Sequence, residues 1–96
     1  MTVGWGAFGT MWSRPFVQVV VRPTRYTDEF MRTGSSFTLC AFPDKYRKAL
    51  EFLGSKSGRN TPKIADSGLT PVAASRVEAP CYDEANLVVE CRQIYR

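Results

Sequence analysis

A run of β-branched residues held between two prolines is the strongest constraint on how this chain folds. Phe16-Val17-Gln18-Val19-Val20-Val21 follows Pro15 and stops short of Pro23. Proline continues neither regular element, and β-branched side chains favour extended backbone, so the run predicts a mostly buried strand. The chain then turns abruptly polar at Arg22-Pro23-Thr24-Arg25-Tyr26-Thr27. A second loop of the same character, Ser55-Lys56-Ser57-Gly58-Arg59, comes after a stretch in which Tyr46, Ala49, Leu50 and Leu53 recur at helical spacing. Each loop gathers fixed cations, hydroxyl donors and backbone N–H groups at an element boundary, which is the donor set a phosphate dianion needs. Two such loops in one small domain point to a bound phosphate ester. Taken singly, each has a plainer reading: a turn fixed by Pro23 with Arg25 in water, and a helix C-cap followed by a polar linker.

The remaining elements can be read from local signals. Met1 to Gly6 reads as a strand weakened by Gly4 and Gly6, and Ala7 to Arg14 as a connection. Thr27 as N-cap, Asp28 and Glu29 in the first turn, Arg32 in the last and Gly34 beyond it predict a helix from Tyr26 to Thr33. Phe37 to Ala41 reads as a strand, and Pro43 with Asp44 opens a second helix that Gly54 ends. Thr61 before Pro62 starts a short helix that Gly68 closes. Leu69 to Ala74 predicts a short strand and Ser75 to Asn86 a loop. Leu87 to Ile94 predicts a strand with Leu87, Val89 and Cys91 on one face and Glu90 and Arg92 on the other. The fold class is therefore mainly β with short helices (α+β), in one domain spanning residues 1 to 96.

Composition excludes several chemistries. The chain has no histidine, which removes the Ser-His-Asp and Cys-His constellations and the commonest general base. Cys40, Cys81 and Cys91 include no Cys-x-x-Cys pair, so neither a zinc site nor a disulfide framework is expected. No metal site and no catalytic side chain is assigned; enzymatic chemistry, if present, belongs to a cofactor. The longest apolar stretches fall far short of a bilayer span, and no basic-then-apolar leader opens the sequence, so the expectation is a cytoplasmic protein without membrane contact. A net charge of +4 with pI near 9.2 admits an anionic ligand or nucleic acid, and equally a merely solvated basic face.

Three spaced segments, read together, resemble the flavin reductase-like family, the FMN-binding split β-barrel, and in particular its flavoredoxin branch. They are Met1-Thr2-Val3-Gly4-Trp5-Gly6, Arg22-Pro23-Thr24-Arg25-Tyr26-Thr27 and Gly54-Ser55-Lys56-Ser57-Gly58-Arg59-Asn60. The likeness runs over essentially the whole chain in the same order. Family members are usually longer, so the resemblance implies a partial domain, an incomplete split barrel corresponding to their middle. It implies FMN as cofactor, with the phosphate met by Thr24 and Thr27 and by charge from Arg22 or Arg25, and with Ser55, Lys56 and Ser57 beside the same phosphate. Backbone groups of Thr2, Val3 and Gly4 would meet the polar edge of the isoalloxazine, along a segment that carries Trp5. Asn60 stands where the family commonly has aspartate.

The activity implied is that of an NAD(P)H-dependent flavin oxidoreductase, flavin reductase or flavoredoxin in type, passing electrons from NAD(P)H through flavin to an acceptor, within a homodimer. An FMN-bound electron carrier without NAD(P)H activity is the alternative within the fold, and a fragment that keeps the fold but not the cofactor is another. A small basic module for single-stranded nucleic acid ranks below these, because no aromatic and basic interleaving supports it. No nucleic-acid partner is expected.

Overall fold

The computed structural model describes all residues from Met1 to Arg96. Strands β1 (Gly6–Met11) and β2 (Arg14–Val19) form an antiparallel hairpin, with Gly6 opposite Val19 and Met11 opposite Arg14. This corrects the sequence reading three times. Strand β2 takes in Pro15, stops at Val19 and has no buried residue, in place of the mostly buried strand over Phe16 to Val21. Residues 1 to 4 have no regular structure, and the expected connection from Ala7 to Arg14 is a strand and a tight turn. The turn residues Trp12 and Ser13 both have positive φ, 54° and 59°. That is the handedness a two-residue hairpin needs, but it is usually supplied by Asn-Gly, so the sequence carried no turn signal here. Gly9 weakens strand propensity yet has a packing reason: a Cβ there would lie 2.6 Å from the Phe16 ring, which covers the bare backbone.

Helix α1 (Tyr26–Thr33) has the bounds its acid-first, base-last pattern predicts, and Arg32 closes an i,i+4 ion pair with Asp28 at 2.7 Å. Its N-cap is Arg25 and not Thr27, with no side chain capping the helix. Strand β3 (Ser36–Ala41) comes next, then a single 3-10 turn at Asp44–Tyr46 and helix α2 (Arg47–Ser55). The helix runs through Gly54 instead of ending there. The glycine is needed for close approach, since a Cβ would stand 2.3 Å from the Thr2 hydroxyl oxygen. Helix α3 (Lys63–Ser67) has Pro62 as its N-cap in place of Thr61, and Gly68 closes it at φ 77° as expected.

Strands β4 (Pro71–Val72) and β5 (Cys81–Tyr82) pair briefly, the second lying inside the segment expected to be loop. Strand β6 (Leu87–Arg92) lies antiparallel to β3, with Leu39 opposite Val89. The result is three separate two-stranded sheets joined by short helices, without a closed barrel. Loops are tied down by carboxylates. Glu90 accepts the backbone N–H groups of Ser75 and Arg76 at 2.8 and 2.7 Å, and Glu84 accepts that of Thr70.

The core is small. Only Leu53 and Leu69 are buried, each still 5% exposed, whereas Trp5, Phe8 and Trp12 stand 73%, 68% and 90% exposed. The three cysteines are half-buried free thiols. No helix is long and apolar enough to cross a membrane.

Candidate functional site

The two polar loops, some thirty residues apart in sequence, meet in space. Thr24, Arg25 and Thr27 from the first, and Lys56, Ser57 and Gly58 from the second, line one cavity of about 670 Å³. The first loop is delivered by the exit from β2, and the second by the C-terminal end of α2. They are locked together by Arg25, whose Nη1 donates to the Gly54 carbonyl at 3.2 Å. No side chain caps α1, and although the Asp28 N–H bonds to the Arg25 carbonyl at 2.9 Å, those of Tyr26 and Thr27 are left for other acceptors at the rim of this cavity.

A lysine that sequence reasoning passed over completes the polar end. Lys63 lines the cavity from the start of α3, and its Nζ donates to the Leu53 and Lys56 carbonyls at 3.0 Å each. An ammonium has three donors, so one remains after those two bonds. Burial lowers the pKa of Lys63, and the positive charge of Arg25 lowers it further. The signal available in the sequence was its place at the head of the helix directly after the second loop.

The electrostatics are one-sided. The three ion pairs of the chain, Arg32–Asp28, Arg47–Asp44 and Arg59–Glu29, engage none of Arg25, Lys56 and Lys63. No carboxylate lines the cavity, and its far wall is apolar, with Phe30, Ile64, Leu69 and Tyr82. Burial raises the Tyr82 hydroxyl's pKa, with Cys40 and Glu84 adding to the effect, so it stays neutral. Three cations, several hydroxyls and an apolar wall suit a ligand that joins an anionic group to a flat apolar body.

Other residues that the sequence points to lie elsewhere. Ser55 turns its hydroxyl back to the Phe52 carbonyl at 3.1 Å, and Arg22 does not line the cavity; its carbonyl accepts the Arg25 N–H. Met1 touches the cavity, but Thr2 and Val3 line a neighbouring apolar space of about 340 Å³. Val3, Gly4 and Trp5 line a third, about 430 Å³, between the hairpin and the β3–β6 sheet. The segment from Met1 to Trp5 thus leads away from the polar cavity along apolar surface.

Comparison with known families decides the relationship. The family model described as "Flavin reductase like domain" matches residues 1–95. The chain belongs to the flavin reductase-like family. Among solved structures, flavoredoxin of Desulfovibrio vulgaris (Miyazaki F) superposes with a TM-score of 0.91 at 28% identity, over 99% of this chain and 51% of that one. The chain therefore spans about half the length of that relative and reproduces its fold over that half, which accounts for strands that form no closed barrel. A comparison with curated protein sequences finds none that matches. Within the flavin reductase-like family a flavin phosphate is the natural test of the cavity, and its donor set is of the right kind: hydroxyls and unpaired cations with no acid among them.

Proposed function

We propose that this chain binds FMN, with the phosphate between the loops at Thr24 to Thr27 and Lys56 to Ser57, as part of an oxidoreductase of flavin reductase or flavoredoxin type. The observation that carries the reading is the convergence of two distant basic and hydroxyl-rich loops on one cavity without a carboxylate. Thr24, Thr27 and Ser57 would donate hydroxyl hydrogen bonds, and Lys56 and Lys63 would supply charge, while Arg25 holds the loops in register through Gly54. Arg22 and Ser55 act through the backbone of those loops in this reading. Backbone groups of Thr2, Val3 and Gly4, with Trp5 beyond them, would accompany the flat ring along the adjoining apolar surface.

Bound flavin supplies two-electron chemistry, taking a hydride from NAD(P)H and passing electrons to an acceptor. The chain's own residues bind and orient, and no side chain needs to act as acid or base, in keeping with a sequence free of histidine. The name of the flavoredoxin neighbour favours a second reading, an electron carrier with little NAD(P)H activity. NADH and NADPH oxidation in the presence of FMN separates the two. A homodimer is part of the proposal, supported by strand edges and apolar hairpin residues left open. So is a place in the cytoplasm.

The direct test compares FMN with riboflavin by quenching of flavin fluorescence. Lys56→Ala removes a charge-assisted hydrogen bond, a loss of about 1.5 to 3 kcal/mol, so FMN weakens on that scale while riboflavin is nearly unchanged. Equal losses for both ligands would place the phosphate elsewhere. FMN should also bind more tightly when the same sequence is carried in a protein of flavoredoxin length, since so little of the chain is buried by itself.

A further inference from the structure

We infer that Arg59 is a positioning residue for the phosphate side of this site, clamping one loop to the other and masking the charge of Glu29. The inference rests on the reading that the phosphate sits between the two loops. Arg59 belongs to the second loop by its backbone, where its N–H donates to the Ser57 hydroxyl at 3.2 Å. Its side chain belongs to the first. Nη2 pairs with Glu29 on α1, Nη1 reaches the Thr24 carbonyl at 3.5 Å, and the guanidinium lies over the Tyr26 ring, 4.9 Å from its centroid. One side chain thus touches three positions between Thr24 and Glu29 without lining the cavity itself.

The pair with Glu29 does not explain the arrangement as a stabiliser. Both partners are about half exposed, and exposed ion pairs contribute little to folding. Its consequence is electrostatic. Glu29 lies in the first turn of α1, and an unpaired carboxylate there would oppose a phosphate at the same end of the helix. Arg59 cancels that charge. Its planar fork lets it stack on Tyr26 and pair with Glu29 at once, which a lysine ammonium cannot do.

Coupling between the two residues is the discriminating measurement. FMN and riboflavin affinities are measured by fluorescence quenching for the wild type, Lys56→Ala, Arg59→Ala, Glu29→Gln, Arg59→Lys and the double variant Arg59→Ala with Glu29→Gln. Arg59→Ala should weaken FMN by roughly tenfold and riboflavin by less than about twofold. Adding Glu29→Gln should restore several-fold of the lost FMN affinity, and Arg59→Lys should fall between wild type and Arg59→Ala. The expected FMN loss in Arg59→Ala should shrink at high salt.

A loss shared equally by both ligands, or an effect of Arg59→Ala that Glu29→Gln leaves unchanged, overturns the inference. Lys56→Ala keeps the two readings apart. If it too fails to distinguish FMN from riboflavin, or if the wild type binds neither ligand, the phosphate reading itself falls and takes the clamp with it. If Lys56→Ala distinguishes them and Arg59→Ala does not, only the clamp is lost.

Discussion

The β1–β2 hairpin and the cluster of loops around Leu53 are held by different means. The hairpin is a backbone ladder running from the Gly6–Val19 pair to the Met11–Arg14 pair, and its large apolar residues Phe8, Met11 and Trp12 face outward. The cluster has a buried leucine at its centre and long polar side chains that cross between segments: Arg25 to Gly54, Lys63 to Leu53 and Lys56, and Arg59 to Glu29. The long cationic side chains that cross between segments gather where the proposed anion is met, while the crossings made by Glu84 and Glu90 lie elsewhere. The hairpin, by contrast, takes its shape from local pairing and leaves Phe8, Met11 and Trp12 uncovered.

The sharpest way to break this contrast is truncation. Leu53→Ala should destabilise the chain by about 2 to 5 kcal/mol, because it empties the centre of a small core. Phe8→Ala should stay within about 0.5 kcal/mol, since the ring is already largely in water. Urea unfolding of the two variants checks both, and comparable losses would mean that the hairpin carries more of the fold than its exposure allows.

Lys63 tests whether the cluster is tuned for an anion or merely for packing. Lys63→Met removes the bonds to the Leu53 and Lys56 carbonyls and one cavity cation, and should weaken FMN by about tenfold while riboflavin changes much less. Calorimetric titration with both flavins decides it, and parallel losses would make Lys63 a packing residue.

A smaller effect separates the loops pinned by carboxylates from both regions. The Glu90 pKa is held below the ordinary value of 4.5 chiefly by the Ser75 N–H, with the Arg76 N–H helping against partial desolvation. For Glu84, desolvation pushes upward and the Thr70 hydrogen bonds outweigh it, so the net direction is again down. A carboxylate depressed in the folded state contributes stability that is complete above its unfolded value and disappears as pH falls through its folded value. The difference in urea midpoint between wild type and Glu90→Gln should therefore be full at neutral pH and close below about pH 4.5. A difference that persists unchanged in acid contradicts this.

The smallest change expected is a gain. Replacing Trp12 by Asn and Ser13 by Gly gives the turn residues that tolerate positive φ, and should slow hydrogen exchange across the hairpin by an amount equivalent to about 0.5 to 1 kcal/mol. The site's flavin affinity should not move.

These elements also show where the sequence was readable. Helix α1 was legible in its extent, though not in its N-cap, because charge placement and Gly34 act locally, and β2, β3 and β6 were legible within a few residues from their β-branched and alternating patterns. The turn at Trp12 and Ser13 was not, because its conformation is imposed by strand pairing on residues that do not ask for it. Gly54 misled for a similar reason: read locally it stops a helix, and its real cause is Thr2, half a chain away. The convergence of the two polar loops was suggested by their composition. Lys63 and Arg59 were not assigned because their partners lie on other segments, and tertiary partners leave no trace in local spacing.

The three bonds at the end of α2 have one more consequence. The last carbonyls of a helix form its negative pole, about half a unit charge, and such an end would ordinarily repel a phosphate. Here Leu53 and Gly54 within that end, and Lys56 just beyond it, have their carbonyls taken up by Lys63 and Arg25. Two cations set against half a negative charge leave a surplus, so the pole changes sign. A helix terminus of the unfavourable polarity thereby becomes a wall that an anion can approach, and the chain reaches with side chains what many phosphate sites obtain from the opposite end of a helix.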